Sequence, residues 1–216
     1  MEDSRAGTLQ AAENHAGRAA PVYGAVRTDT GARWTSCCIV GSGPSLRGFD
    51  FERLRDTTVL AVNDAMLKVP WAAALFSMDH RWVRSRLTSL VEFPGEKYVA
   101  IQERFEDLWS IPGVTYLRRA RFESLSADSR IVHLGGCSGY GALNVAVLKG
   151  ATDITLYGFD LTPGRAFDSD QPEQRSQYQT WARMFRSTLP FLRERCIRVL
   201  NASEDSAIDA FPRIGC

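Results

Sequence analysis

The residues of this sequence best suited to chemistry sit at the ends of short apolar runs. Gly41-Ser42-Gly43-Pro44-Ser45-Leu46 follows Cys37-Cys38-Ile39-Val40. Glycines there have no Cβ to hold a ligand away, so backbone N–H groups can approach a phosphate, and a following helix start would add its positive dipole end. The turn lacks the third glycine of the dinucleotide fingerprint and the Gly-Lys-Ser/Thr of a P-loop, so it matches neither. A purely structural tight turn is the competing reading. Ser138-Gly139, followed by Gly141, forms a second strand-to-helix turn of the same kind. Two such turns in one sheet strengthen the case for phosphate binding.

Asn63-Asp64 closes another apolar run and could meet a ribose, a base edge or a sugar hydroxyl, or else cap the next helix. Asp79-His80 reads either as an acid–base pair or as a helix cap beside an exposed imidazole. Asp160, after Leu156-Tyr157-Gly158-Phe159, could orient a substrate or a metal. Asp168 and Asp170 follow in a polar loop, where a lid can bring a base to a substrate. His133 lies within an apolar run and reads as a satisfied core residue. Tyr178, Trp181 and Phe185 have the spacing of a helix's core face. No Ser-His-Asp or Cys-His arrangement stands out among the three histidines.

These residues need a scaffold that gathers strand ends. Besides Cys37–Val40, strands are predicted at Thr58–Val62, Ala73–Met78, Tyr98–Ile101, Val114–Leu117, Ile131–Leu134, Ile154–Tyr157 and Ile197–Leu200. Helical patterns cover Trp82–Leu90, Glu103–Trp109, Ala142–Leu148 and Glu173–Arg195. This alternation predicts an α/β fold: a single Rossmann-like domain with a mostly parallel sheet and helices on both faces. Ligands of such sheets bind beyond the carboxyl ends of the strands, so the residues named above would share one rim.

At 216 residues and 44% hydrophobic content the chain supports one core, assigned to residues 34–216. Residues 1–33 are rich in Ala, Gly, Thr and Arg without apolar periodicity, and are expected to form a disordered tail. A net charge of +1 draws the protein toward neither nucleic acid nor membrane. Five cysteines form no Cys-x-x-Cys pair, and no zinc-finger spacing occurs. Reduced thiols, no membrane span, no resident cofactor or metal and a cytoplasmic location are the expectations.

Taken in order, Ile39-Val40-Gly41-Ser42-Gly43-Pro44-Ser45-Leu46, Ala61-Val62-Asn63-Asp64, Cys137-Ser138-Gly139-Tyr140 and Leu156-Tyr157-Gly158-Phe159-Asp160 resemble bacterial lipooligosaccharide sialyltransferases. The order is similar also to motility-accessory-factor glycosyltransferases and to 6-hydroxymethylpterin diphosphokinases related to them. Small phage-encoded proteins share the layout. The resemblance spans about residues 37–213, and Gly-x-Gly-Pro-Ser-Leu is its most specific part.

By that resemblance, Gly41, Ser42, Gly43, Pro44, Ser45, Asn63, Ser138 and Gly139 hold a CMP-sugar-like donor, and Tyr157 is the nearby match for tyrosines that meet its phosphate. The sialyltransferases carry a catalytic histidine in a late loop, where this chain offers only Asp168 and Asp170. The implied activity is transfer of a glycosyl group from a nucleotide sugar to an unidentified acceptor, with Asn63 and Asp64 on the nucleoside or sugar and Asp79, Asp160 or Asp168 as base. Two alternatives stand beside it. One is a Mg²⁺-dependent pyrophosphokinase acting on a pterin-like alcohol, with carboxylates such as Asp79 and Asp160 on the metal. The other is a non-catalytic phage assembly or binding protein of the same fold. A homo-oligomer is compatible with each.

Overall fold

A computed structural model of the protein describes residues 22–27, 33–121, 124–133, 135–167 and 173–215. The strands are β1 (Ser36–Val40), β2 (Val59–Val62), β3 (Ala74–Ser77), β4 (Glu96–Val99), β5 (Val114–Tyr116), β6 (Arg118–Ala120), β7 (Ile131–His133), β8 (Asp153–Tyr157) and β9 (Arg198–Asn201). The α-helices are α1 (His80–Ser85), α2 (Leu87–Glu92), α3 (Ser138–Leu148), α4 (Tyr178–Met184) and α5 (Leu189–Glu194). Seven strands form one sheet in the order β5-β4-β3-β2-β1-β8-β9, and its pairings are parallel. The α/β fold predicted from the alternation is therefore present.

The strand sequences sort their side chains between two cores. Ile39, Leu60, Phe76 and Tyr98 face one layer, which holds Tyr140 and Leu143 of α3 and Leu192 of α5. Their immediate neighbours Val40, Ala61, Leu75 and Val99 face the other, with Trp82 and Val83 of α1 and Leu90 of α2. Successive residues point to opposite faces of a strand, so a run that is apolar throughout must be covered on both sides. The order of strand addition changes side at β1, which has β2 on one side and β8 on the other. That topological switch point lies beside the Gly41 turn.

Three expectations change. The run Ile131–Leu134 does not enter the main sheet: β7 pairs with β6 in a separate two-stranded sheet. The charged pair Arg118-Arg119 hides β6 from a search for apolar runs. The single helix predicted over Glu173–Arg195 is broken by 3₁₀ segments at Arg175–Gln177 and Phe185–Thr188. Pro190 lacks an N–H for the helical ladder, while the Ser187 and Thr188 hydroxyls donate to the carbonyls three residues back.

The third change concerns the tail. The domain boundary at residue 33 is too late, because Val26 is buried and its N–H donates to the Ser129 carbonyl at 2.7 Å. Gly24 donates to the Tyr116 carbonyl at 2.9 Å, and Lys149, itself buried against Glu96, donates to the Arg27 carbonyl at 2.6 Å. Residues 22–27 thus pack as part of the domain. Residues 1–21 and 28–32 of the predicted tail lie outside the described residues.

Candidate functional site

A cavity of about 400 Å³ opens along the carboxyl rim of the sheet, from Gly158 after β8 and Gly41–Gly43 after β1, past Asn63, Met78 and His80, to Gln102 and Arg104 after β4. The N-terminus of α3 supplies Gly136, Cys137, Ser138 and Gly139, while Tyr178 and Trp181 of α4 close another side. Strand ends after β1, β2 and β3 therefore converge as predicted. They do not contribute in the way the motifs suggested.

The Gly41 turn lines the cavity, but its backbone donors are largely committed inside the protein. Gly41 N–H donates to the Tyr157 carbonyl at 2.8 Å, and Gly43 N–H to the Gly158 carbonyl at 2.9 Å. Ser45 N–H and its hydroxyl both donate to the Asp160 carboxylate. Ser42 alone of this group keeps its N–H and hydroxyl without a partner among the described residues, while its carbonyl accepts from Ala166 N–H. Glycine is needed for packing: a Cβ on Gly43 would come within 1.9 Å of Asp160 Oδ2, and one on Gly41 within 2.8 Å of the Gly158 carbonyl. Only a short 3₁₀ turn, Pro44–Leu46, follows. The expected dipole end of a full helix is missing there.

Four further candidates, Asp160, Pro44, Ser45 and Tyr157, lie outside the cavity lining. Asp160 is buried, does not line the cavity and accepts from Ser45 and from the Ser203 hydroxyl, so it ties the turn to the segment after β9. Pro44 and Ser45 lie outside the lining as well. Tyr157 points to the opposite side of the sheet, its ring 5.5 Å from that of Phe49, and is outside the cavity lining. A residue at the last position of a buried strand faces whichever layer its register dictates.

The second glycine turn behaves differently. It leads into α3, eleven residues long, whose N-terminus faces the cavity. The Cys137 carbonyl takes the Tyr140 and Gly141 N–H groups and its sulfur draws on that of Gly139, which leaves the Ser138 N–H and the helix dipole to favour a phosphate at that end. Ser138 Oγ accepts from Met78 N–H at 3.2 Å, which locks the helix start to the end of β3. Gly139 is required because a Cβ would lie 2.7 Å from the Phe159 ring. Cys137 is no thiolate nucleophile: burial pushes its pKa up to about 11, against the opposing pull of the Tyr140 and Gly139 N–H groups.

Asn63 combines two features at the rim. Its φ is 52°, in the left-handed region that asparagine enters more readily than most residues with a Cβ, and its Oδ1 is buried without a hydrogen-bond partner among the described residues. Asp64 beside it is committed, accepting at 2.9 Å from both Trp82 Nε1 and Arg86 Nε. Asp79 accepts from Arg81 and Trp82 N–H groups as the N-cap of α1. Both carboxylates border the cavity while holding its wall together. Asp168 lies outside the described residues.

Sequence reasoning undervalued several residues here. His80 lines the cavity with its ring stacked on Phe105 at 3.7 Å. Burial lowers its pKa below the ordinary 6.5, Asp79 opposes this, and Arg81, Arg84 and Arg104 push it further down. Tyr178 and Trp181, read from spacing as core, instead face the cavity, whereas Phe185 is fully buried. Trp181 packs against Gly136, whose φ of 92° excludes a side chain. Burial and then Glu173 push the Tyr178 hydroxyl pKa up to about 12. Arg104 and Arg119 also reach the cavity; no local pattern marked either one. His133, as expected, is satisfied, with Nδ1 3.0 Å from the Ser124 carbonyl.

A parallel sheet covered on both faces, with one cavity beside its switch point, defines a Rossmann-like α/β domain. No protein-family model matches the sequence, and no curated protein matches it. Among solved structures the fold is similar to that of a MAf glycosyltransferase from Magnetospirillum magneticum AMB-1, with a TM-score of 0.57 over 89% of this chain at 16% identity. The chain spans 35% of that protein's length. The two share a fold. Among the described residues, no helix is long and apolar enough to cross a membrane.

Proposed function

We propose that the protein is a glycosyltransferase-like enzyme that holds a nucleotide-activated sugar, CMP-sugar-like in character, along this rim and transfers the glycosyl group to an acceptor. The observation that carries the reading is Asn63. A cavity-lining residue whose buried carboxamide oxygen has no partner among the described residues bears a cost of about 1–3 kcal/mol, which a ligand donor reaching that oxygen would remove. An exocyclic amino group of a base or a ribose hydroxyl supplies such a donor. The donor's phosphate then lies at the α3 N-terminus, near Ser138 and Gly139, with Ser42 N–H and Oγ adding to its coordination.

In this reading His80 is the base. As the acceptor oxygen bonds to the anomeric carbon, the imidazole takes the hydroxyl proton, and the sugar–phosphate bond breaks with its electron pair leaving on the nucleotide. A pKa below 6.5 keeps the ring neutral and ready to accept at pH 7. Asp79, one residue earlier, orients this corner through its cap to α1. Fold similarity to a glycosyltransferase agrees with the proposal.

Thermal shift with CMP, UDP, GDP and ATP derivatives, with and without Mg²⁺, tests it. A ligand at a hundred times its Kd stabilises by about 2.7 kcal/mol, a readable rise in Tm. A cytidine-nucleotide response that does not need Mg²⁺ is expected. No response to any nucleotide sinks the proposal, and a strictly Mg²⁺-dependent response to ATP replaces it with pyrophosphoryl transfer.

A further inference from the structure

The cavity continues beyond the space that Asn63 and the α3 N-terminus would occupy. At its far end, after β4 and on β6, stand Arg104 and Arg119, with His80 and Arg81 at the near side. Consecutive strands lie about 4.8 Å apart, so the three strand steps from β1 to β4 put this corner roughly 14 Å from the Gly41 turn. That separation exceeds what one phosphate spans.

Charge at this corner is unbalanced. Its carboxylates are engaged elsewhere: Glu103 accepts from the Tyr23 hydroxyl, Asp107 takes the Arg84 guanidinium, and Asp79 caps α1 with Arg81 Nε 3.8 Å away. Among the described residues neither Arg104 nor Arg119 has a carboxylate within ion-pair distance. Arg119 is also half-buried. Burial lowers its pKa, and the nearby Arg121 and Arg104 guanidiniums add to that effect. Bringing like charges together while withdrawing one from water is unfavourable, and a bound anion would relieve it. A structural guanidinium would be expected to have a carboxylate or carbonyl beside it.

We propose that Arg104 and Arg119 form a second anion subsite, which takes a phosphate monoester or carboxylate on the acceptor rather than on the nucleotide. The identification of the anion's carrier as an acceptor rests on the reading of the cavity as a nucleotide-sugar site; the anion subsite itself does not. Guanidinium forks suit both oxyanions because each offers two parallel acceptors. Arg81 and His80 lie between the two ends of the cavity, where acceptor and donor would meet.

Calorimetric titration of the full chain with a hexose 6-phosphate, a hexuronate, inorganic phosphate and a neutral hexose, each with and without CMP, provides the test. The charged sugars should bind whether or not CMP is present, and the neutral hexose should not. Preference between phosphate and carboxylate sugars names the acceptor's charged group. Arg104→Gln and Arg119→Gln should each weaken the charged sugar roughly tenfold or more while leaving CMP affinity unchanged. Arg104 is exposed, so R104Q keeps the test valid if R119Q disturbs β6. Asn63→Ala should do the reverse. Anion binding lost in R104Q but no nucleotide binding would retain the subsite and remove the nucleotide reading. CMP binding with charged sugars that bind no better than neutral ones, or anion binding unaffected in both arginine variants, overturns the subsite.

Discussion

The two glycine turns at the carboxyl rim look alike as strings and differ as structures. In the Gly41 turn the N–H groups of Gly41 and Gly43 are bonded to the end of β8, the glycines make room for Gly158 and Asp160, and a three-residue 3₁₀ turn follows. In the Gly135–Gly139 turn the chain enters an eleven-residue helix whose first turn faces the cavity. A glycine-rich turn signals close approach of something to the backbone. Whether that something is a ligand or the next strand depends on where the donors point. The first turn is chiefly a structural joint with Ser42 exposed to the site, and the second is the better placed for an anion.

The sharpest way to break this comparison is at Asp160. Asp160→Ala removes the acceptor for Ser45 N–H and two hydroxyls in a buried place, and should destabilise by about 4 kcal/mol, read as a lowered denaturant midpoint. A variant that stays near wild-type stability but loses only activity would return Asp160 to the catalytic role. Gly43→Ala should lose about 3 kcal/mol, because its Cβ meets both the Asp160 carboxylate and the Gly158 carbonyl. Were this turn a ligand cradle with room to spare, the same change would leave stability intact and weaken only binding.

Asn63→Gly sharpens the functional side. Glycine relieves the positive φ and removes the orphaned oxygen, so stability should remain within about 1 kcal/mol of wild type while nucleotide affinity falls about tenfold. Equal affinity in calorimetry would remove the residue from the site.

The smallest expected effect on stability is its dependence on pH. The folded state holds a proton on His80 less tightly than the unfolded chain, so its contribution to stability is lost as pH falls from 6.5 through the lower folded value. Activity should decline over the same acid range and stay level between pH 7 and 8. His80→Gln should abolish that limb and lower kcat by about a hundredfold. An unchanged acid limb in H80Q would assign the base to another group.

Much of the scaffold was legible in local pattern. Apolar runs such as Thr58–Val62 must be buried on both faces, and that requirement demands helices above and below a parallel sheet. β6 escaped notice because Arg118 and Arg119 break the apolar pattern, and the long helical stretch concealed its break at Phe185–Thr188, just before Pro190, because side-chain hydroxyls there can cap as well as extend a helix. Asn63, Ser138 and Gly139 were recognisable as rim residues because they end strands or begin helices. His80 had no partner in sequence; Phe105 stacks on it from a loop 25 residues away.

The sequence by itself determined the alternation of elements, the strand ends that gather at one rim, and the positions where a side chain would obstruct close packing. Tertiary structure decided which donors remain free. The Gly41 N–H and the Asp160 carboxylate are bonded to other parts of the chain, Tyr157 turned to the far layer, and Arg104 and Arg119 line one corner that no spacing revealed. The reason is physical: a hydrogen bond has one donor and a limited set of acceptors, and only the folded arrangement of distant segments determines whether another part of the chain takes them or leaves them to a ligand.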